Sequence, residues 1–191
     1  MRLFVAAEIG GELAVRAVEL IRELKPRVDE IAPDARVTWL TVEQLHVTIR
    51  FIGEVNDERA AATVDAMQPA IGVAPFDLTL GGTGVFPERG RPRVVWAGIE
   101  RGSAELMAIE RDVSARLARL GIKPEDKPYS PHLTLGRVRE ARGLRSARLL
   151  DGFERRRLGT VHVDAVTLFQ SRPGTGGSQY TPLTRCGLVS P

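Results

Sequence analysis

Apolar residues spaced three and four positions apart predict the helices of this chain. Residues 12–29 carry such a stripe, and Pro26 within it is expected to end the regular helix early. Residues 57–70 are predicted to form a helix because Asn56 is a suitable N-cap. The most regular stripe lies within residues 103–120 and comprises Leu106, Ile109, Val113, Leu117 and Leu120. Each helix should therefore bury one face in a common core.

Alternating or continuous apolar runs predict the strands. They cover residues 2–9, 36–39, 45–51, 76–80, 93–99, 132–138, 161–169 and 180–188. The glycine-rich residues 81–87 are expected to form a loop, residues 171–178 a turn, and residues 141–153 a loop or short helix. Strands interspersed with helices in this way are typical of an α+β fold.

A strand, a helix and a second strand that contains a histidine occur twice in this order. One unit spans about residues 2–51 and the other about residues 93–138. Their sequence identity is weak, so the similarity is one of pattern. We expect a single domain over residues 1–191 with two similar lobes, each of which presents one histidine strand to a shared cleft.

The two histidine strands carry the same short motif. Leu45-His46-Val47-Thr48-Ile49 and Pro131-His132-Leu133-Thr134-Leu135 each place a histidine and a threonine two positions apart between apolar residues, in a chain with only three histidines. Because side chains alternate along a strand, each His-x-Thr pair shares one face and the apolar residues share the other. The motifs therefore predict one polar site built from two strands.

The composition fits an ordinary globular protein with a basic region. The chain has 191 residues and a net charge of +3, and of its 27 basic residues all but three are arginines. Residues 137–157 hold eight arginines against three carboxylates, a local charge of 8 − 3 = +5. This stretch directly follows the second motif, so it suits either a polyanionic substrate or a solvated helix face.

The single cysteine and the absence of a long apolar segment favour a cytoplasmic protein. Cys186 cannot form an internal disulfide, and no cysteine cluster suits zinc. The apolar opening of the chain is interrupted by Glu8 and is too short for a signal peptide or a membrane span. We expect a monomer in the cytoplasm.

Paired histidines and threonines suit chemistry at a phosphodiester. One imidazole can take a proton from a nucleophile while the other gives a proton to a leaving group, and no metal is required. Two threonine hydroxyls match the two nonbridging oxygens of a phosphodiester. The spacing alone does not decide which histidine is the acid.

Other interpretations of the histidines are weaker. A single strand histidine is usually structural, but two matched copies disfavour that explanation. Zinc binding by His46, His132 and His162 would lack carboxylates at ligand spacing beside the first two, and threonine is a poor zinc ligand. His162 has no threonine partner and is expected to be a strand histidine near Asp164.

Together with their flanks, the motifs resemble the two-histidine (2H) phosphoesterases, and most closely the bacterial and archaeal RNA 2',3'-cyclic phosphodiesterases, a group similar to 2'-5' RNA ligases. The resemblance covers nearly the whole chain. It is carried by Arg2-Leu-Phe-Val-Ala, Leu45-His-Val-Thr-Ile-Arg-Phe-Ile-Gly-Glu-Val55, Arg93-Val-Val-Trp-Ala-Gly, Pro131-His-Leu-Thr-Leu, Leu168-Phe-Gln-Ser171 and Tyr180-Thr-Pro-Leu183.

This resemblance implies a bilobal fold in which two antiparallel sheets flank a central cleft and helices lie outside. It implies hydrolysis of an RNA 2',3'-cyclic phosphate to a 2'-phosphate, with His46 as proton donor, His132 as proton acceptor, and Thr48 and Thr134 as phosphate-binding residues. No cofactor or metal is needed. Substrates would be RNA ends, such as tRNA fragments, or small cyclic nucleotides, and reversible 2'-5' ligation is an alternative activity.

Further residues are candidates for substrate binding. Arg137 matches a basic residue of the relatives, but its strand parity is opposite to that of the motif, so it reaches the cleft only if Gly136 permits a bulge. Arg50 has the parity of the first motif but lies farther from the site. Tyr129, together with Phe86 and Tyr180, is a candidate for stacking on a base or a residue of the core.

A second hypothesis from another class is an RNA-binding or nucleotide-binding module with little turnover. Replacing either motif histidine distinguishes the two, because only an enzyme has a rate to lose. A chelator distinguishes both from a metallohydrolase.

Overall fold

The computed structural model describes residues 1–174 and 177–190. Within these residues the strands and helices alternate along the chain. In order they are β1 (Arg2–Glu8), α1 (Gly11–Ile31), β2 (Arg36–Trp39), β3 (His46–Glu54), α2 (Asp57–Met67), β4 (Phe76–Phe86), β5 (Val94–Arg101), α3 (Ser103–Arg119), β6 (Leu133–Glu140), α4 (Ser146–Leu150), β7 (Arg157–Val163), β8 (Ala165–Gly174) and β9 (Gly177–Gly187).

The strands form two antiparallel halves that meet in the middle of one sheet. The order is β7-β4-β5-β6-β3-β1-β8-β9, and β2 pairs with the far end of β6. The only registered pair between β3 and β6 in the described residues is Val47 with Leu133. Counted outward from this pair, the order β3-β1-β8-β9 in one half corresponds to the order β6-β5-β4-β7 in the other half. The α+β fold expected from the sequence is confirmed.

Helices cover one face of this sheet. The apolar stripes of α1 and α3 are buried, as their spacing predicts. They join one continuous core with Val47 and Leu133, both of which have no exposed surface. The apolar side of both motifs therefore faces the helices, and the His-x-Thr side faces the opposite, open surface. Among the described helices, none combines the length and apolar character needed to cross a membrane.

The prediction that Pro26 ends the first helix early is wrong. Helix α1 continues through Pro26 to Ile31. Pro26 lies on the exposed side, whereas Val28 in the next turn is buried in the core. Burial of that later turn keeps the chain helical although proline removes one backbone hydrogen bond.

The prediction of a loop at residues 81–87 is also wrong, because β4 continues through the glycines to Phe86. The neighbouring strand explains the glycine at position 84. A Cβ atom on Gly84 would lie 2.1 Å from the ring of Trp96, so glycine is required where the tryptophan crosses β4. Gly84 therefore makes room for a side chain within the sheet.

Two further expectations near the C-terminus are corrected. Residues 161–169 are not one strand: β7 ends at Val163, next to β4, and β8 begins at Ala165, next to β1. The chain passes at Asp164 between opposite halves of the sheet, which local propensity does not reveal. The expected turn at residues 171–178 is mostly strand, since β8 and β9 pair up to Gly174 and Gly177, and residues 175–176 lie outside the described residues.

Candidate active site

The two His-x-Thr pairs lie side by side at the centre of the sheet. In an antiparallel register continued from Val47 and Leu133, Thr134 lies across from His46. By the same register Thr48 lies across from His132, so the two histidines are diagonal neighbours. The motifs, separated by more than 80 residues of chain, therefore form one polar cluster on the open face of the sheet.

His132 is held by a backbone hydrogen bond and two aromatic rings. Its Nδ1 lies 2.8 Å from the carbonyl oxygen of Ser130. A carbonyl only accepts, so Nδ1 carries the hydrogen and, in the neutral ring, Nε2 keeps its lone pair. The centroids of Phe86 and Trp96 lie 5.1 and 6.5 Å from that of the histidine. The environment therefore selects the tautomer and fixes the ring.

His46 has a similar environment in the other half of the sheet. Its ring centroid lies 4.9 Å from that of Phe4 and 5.1 Å from that of Tyr180, which meets it edge-on. The backbone of Gln44, two residues earlier, forms a hydrogen bond that favours the protonated ring, just as Ser130 does for His132. The two histidines are thus oriented by equivalent contacts.

Burial makes both imidazoles weak bases. The pKa of His46 is lowered to about 4, mainly by burial and to a smaller extent by the positive charges of Arg137 and His132. Burial likewise lowers the pKa of His132, with a second contribution from Arg137. Both rings are therefore neutral near pH 7 in the free protein and lie within electrostatic reach of Arg137.

A bulge brings Arg137 to the face of the histidines. Trp96 pairs with Thr134 while Val95 pairs with Gly136, which leaves Leu135 as an extra residue in β6. The bulge reverses the parity of the strand, so Arg137 points to the same face as Thr134. This is the arrangement that the sequence left open.

A matching bulge follows the first motif. Ala6 pairs with Thr48 and Val5 with Arg50, so Ile49 is the extra residue in β3. Arg50 is consequently turned away from the site: it is buried, forms an ion pair of 3.3 Å with Glu125, and donates to the carbonyl of Lys123. The parity argument from the sequence is therefore wrong for Arg50.

Phe51 takes the position that Arg50 was expected to hold. It pairs with Phe4, whose ring lies 6.2 Å away, and its side chain is 45% exposed. By the symmetry of the two bulges, Phe51 is the counterpart of Arg137. Sequence reasoning missed Phe51 because uninterrupted alternation would place it on the core face.

Tyr129 lies behind the site. Its hydroxyl donates to the backbone carbonyl of Thr48 at 3.0 Å, and burial raises the pKa of the phenol. It lines a separate cavity with Arg50 and Glu125. The hydroxyl is thus engaged by the strand that carries the first motif.

Open space flanks the histidine pair on both sides. The His46 groove has a volume of about 430 Å³ and is lined by Arg2, Leu3, Phe4, His46, Phe51, Arg137, Arg139, Ser171, Ser178 and Tyr180. On the other side a cavity of about 700 Å³ is lined by Phe86, Pro87, Arg91, Arg93, Val94, Lys127 and Ser130. We call it the His132 cavity because Phe86 and Ser130 contact that histidine, although His132 itself does not line it. Arg2, Phe4 and Arg139 were not singled out from the sequence, although strand alternation from Arg2 would have indicated Phe4.

His162 lies away from this cluster. It is exposed on β7, at the edge of the sheet, where its Nδ1 is 3.0 Å from a carboxylate oxygen of Asp77. Its predicted neighbour Asp164 instead pairs with Arg185. Over residues 1–174 and 177–190, no three His, Cys, Asp or Glu side chains gather as a metal ion would require. The alternative of zinc held by the three histidines therefore has no support in the fold.

The basic residues 137–157 do not act as one surface. Arg137 and Arg139 line the His46 groove. Farther along, Arg156 pairs with Glu23, and Arg157 pairs with Glu100 at 3.3 Å. Only the beginning of the stretch contributes to the site.

An antiparallel sheet whose two halves each present a His-x-Thr pair to one open face has the fold of a 2H phosphoesterase. The 2'-5' RNA ligase superfamily model matches residues 17–175, and the chain belongs to that family.

Individual relatives agree with this assignment. An RNA 2',3'-cyclic phosphodiesterase of Aeropyrum pernix is 39% identical over 68% of this chain and 73% of its own. One of Methanothermobacter thermautotrophicus is 30% identical over 89% of this chain and 95% of its own. The crystal structure of Escherichia coli LigT complexed with 3'-AMP superposes with a TM-score of 0.72 at 25% identity, covering 99% of this chain and 98% of that one.

Proposed function

We propose that this protein is an RNA 2',3'-cyclic phosphodiesterase that opens the terminal cyclic phosphate to a 2'-phosphate by metal-independent acid–base catalysis. The observation that carries the proposal is the meeting of two His-x-Thr pairs across Val47 and Leu133 on the open face of the sheet. Relatives over most of the chain carry this activity as their name. LigT, with the same fold, was crystallised with a nucleotide.

In the proposed reaction His132 is the proton acceptor and His46 the proton donor. Nε2 of His132, whose Nδ1–H is committed to Ser130, removes a proton from water. The water oxygen forms a bond to phosphorus while the bond from phosphorus to O3' breaks, and His46 protonates the departing O3'. The products are a 2'-phosphate and a free 3'-hydroxyl. Proton exchange with water then restores both rings.

Thr48 and Thr134 bind the phosphate during this displacement. Within the described residues neither hydroxyl makes a hydrogen bond to the protein, so both are free to donate to the nonbridging oxygens. Arg137, brought to the same face by its bulge, adds a guanidinium suited to those oxygens. Together they stabilise the charge that builds up on phosphorus oxygens in the transition state.

Protonation of His46 is coupled to substrate binding. In the free protein burial and Arg137 hold its pKa near 4. An anionic phosphate beside the ring opposes the charge of Arg137 and favours the imidazolium. Substrate binding therefore raises the pKa of the acid toward the working pH, where a proton donor is effective.

The role of Tyr129, the domain organisation, the oligomeric state and the location belong to the same proposal. Tyr129 positions Thr48 through its hydrogen bond to the strand backbone and does not contact substrate. The whole chain acts as one catalytic domain and as a monomer, because one copy supplies both histidines and both threonines. A cytoplasmic location is consistent with a single cysteine, Cys186, which is buried.

The product of a cyclic nucleotide tests the proposal. Incubation with cytidine 2',3'-cyclic phosphate should yield the 2'-phosphate, identified by ³¹P NMR, and EDTA should leave the rate unchanged. His46→Ala and His132→Ala should each lower kcat/KM by about 10²–10⁴-fold because each removes one proton-transfer group.

His162→Ala is the matched control and should keep the wild-type rate, since its ring lies at the sheet edge. A 3'-phosphate product, loss of activity in EDTA, or full activity of either motif variant would contradict the proposal. Circular dichroism establishes that the variants are folded.

A further inference from the structure

Beside the active site lies a cavity with an excess of arginine. It has a volume of about 690 Å³, and its charged lining consists of Arg91, Arg93, Arg139, Arg142 and Glu140. Arg142 pairs with Glu140 at 3.5 Å. The other three side chains, which are exposed, make no ion pair or hydrogen bond with any described residue. We call these three, Arg91, Arg93 and Arg139, the arginine track.

The track is continuous with both sides of the active site. Arg139 also lines the His46 groove, next to Arg137. Arg91 and Arg93 also line the His132 cavity, which begins at Phe86. The unneutralised charge therefore extends from the reacting phosphate outward along one surface.

Strand contacts hold the middle of the track in place. The N–H of Arg93 donates to the carbonyl of Phe86 at 2.7 Å, and the carbonyl of Arg93 accepts from the N–H of Val138 at 2.8 Å. Phe86 in turn contacts the His132 ring. The sheet therefore fixes the backbone of Arg93 next to Phe86, which is the residue that contacts His132.

We propose that the arginine track binds backbone phosphates of the RNA strand that carries the cyclic end, so that polymeric RNA and not a free cyclic nucleotide is the preferred substrate. This inference rests on the proposed function. Hydrolysis of the terminal phosphate needs only the histidine face, whereas the track offers three further cations. The apolar surface of Phe86, Pro87 and Val94 beside them suits bases. Alternating cationic and apolar contacts are typical of single-stranded RNA sites.

Two substrates that differ only in chain length test the inference. The variant R91Q/R93Q/R139Q is compared with wild type on a ten-nucleotide RNA ending in a 2',3'-cyclic phosphate and on cytidine 2',3'-cyclic phosphate. With the RNA, kcat/KM should fall about 10- to 100-fold in low salt. The slope of log kcat/KM against log salt should become shallower by about 2, since each lost single-strand contact contributes about 0.7. On the nucleotide the loss should be at most about 2-fold, because Arg139 alone of the three lines the His46 groove.

The control variant R22Q/R59Q/R119Q removes three exposed arginines from α1, α2 and α3 and changes the net charge equally. It should behave as wild type with both substrates. The proposed role of the arginine track would be contradicted by any of three results. These are equal losses of kcat/KM in the two triple variants, an equal loss of kcat/KM on RNA and on the mononucleotide, or an unchanged kcat/KM of the track variant on RNA.

Binding separates this inference from the proposed function. Fluorescence anisotropy with a ten-nucleotide RNA ending in a 3'-phosphate measures affinity without turnover. If wild type hydrolyses neither substrate but binds this RNA, and only the track variant loses that binding, the proposed function fails and the track stands. If the track variant binds the RNA as well as wild type does, the track is wrong whatever the activity.

Discussion

Each histidine of the site is packed against aromatic rings and forms a hydrogen bond with the backbone of the residue two positions earlier, to which the imidazole donates. The rings remove water and make the charged imidazole unfavourable, and this burial is the main reason for the lowered pKa of both His46 and His132. Arg137 acts in the same direction on both. The substrate phosphate is the one charge of opposite sign that the proposed reaction brings into the groove.

Removing the charge of Arg137 should raise the pKa of both histidines. A neighbouring cation disfavours a protonated ring, so Arg137→Gln relieves that effect, while the larger effect of burial remains. Titration of the imidazole Hε1 signals by NMR in the free protein should show His46 and His132 titrating at higher pH than in wild type. Unchanged titration of both site histidines would show that Arg137 is not within their electrostatic reach.

At the scale of elements, the decisive feature is the bulge that follows each threonine. Alternation along β3 and β6 places the histidine and threonine together, and the extra residues Ile49 and Leu135 then reverse the parity. In one half this reversal places Phe51 on the face of the site and Arg50 on the opposite face. In the other half it brings Arg137 to the site. Gly136, directly after the second bulge, contributes to the reversal in β6. The ring of Trp39 of β2 packs where a Cβ atom on residue 136 would lie.

Gly136→Ala should therefore damage both stability and activity. Its Cβ would lie 2.7 Å from the Trp39 ring, so either the tryptophan or β6 must move. We expect a loss of about 1–3 kcal/mol in the free energy of unfolding, measured in urea. A shift of β6 displaces Arg137 as well, so kcat/KM should fall about 10-fold or more.

Gly187→Ala in β9 is the matched control, since no heavy atom lies within 4 Å of the added Cβ. It should change neither quantity appreciably. Wild-type stability of Gly136→Ala would show that Trp39 does not require the glycine.

At the scale of the whole molecule, the two halves of the sheet meet at one registered pair of residues. Val47 and Leu133 are both fully buried and belong to the same core as the helices. Because the histidines are the immediate neighbours of this pair, the distance between the two imidazole rings depends on how closely the two halves pack. The core thus sets the separation of the histidines as well as stability.

Leu133→Ala should impair catalysis more than its effect on folding explains. It removes packing from the junction, and Leu78→Ala removes an equally buried leucine from β4, away from the histidines. Each should cost about 2–5 kcal/mol of the free energy of unfolding. Only Leu133→Ala should lower kcat/KM of the folded protein, by about 10-fold or more, because the halves relax at the junction. Equal kcat/KM for the two variants under conditions where both are folded would contradict this role.

Local pattern was sufficient for the helices, for most strands and for the two His-x-Thr pairs, because a buried face imposes the periodicity of its element on the sequence. The local pattern failed where the conformation depends on a neighbouring strand. Gly84 lies within a strand because Trp96 crosses it, and Asp164 divides an apolar run because the chain passes there between opposite halves of the sheet.

The sequence by itself determined that two matching polar pairs would lie on strands, and it led to the hypothesis of acid–base chemistry for them, since both follow from residue type and alternation. Only the tertiary structure decided that the pairs are diagonal neighbours, that Arg137 and Phe51 join them, and that Arg50 does not. Register and bulges depend on contacts between residues far apart in the chain, such as Val47 with Leu133 and Trp39 with Gly136. Such contacts leave no periodic trace in the sequence.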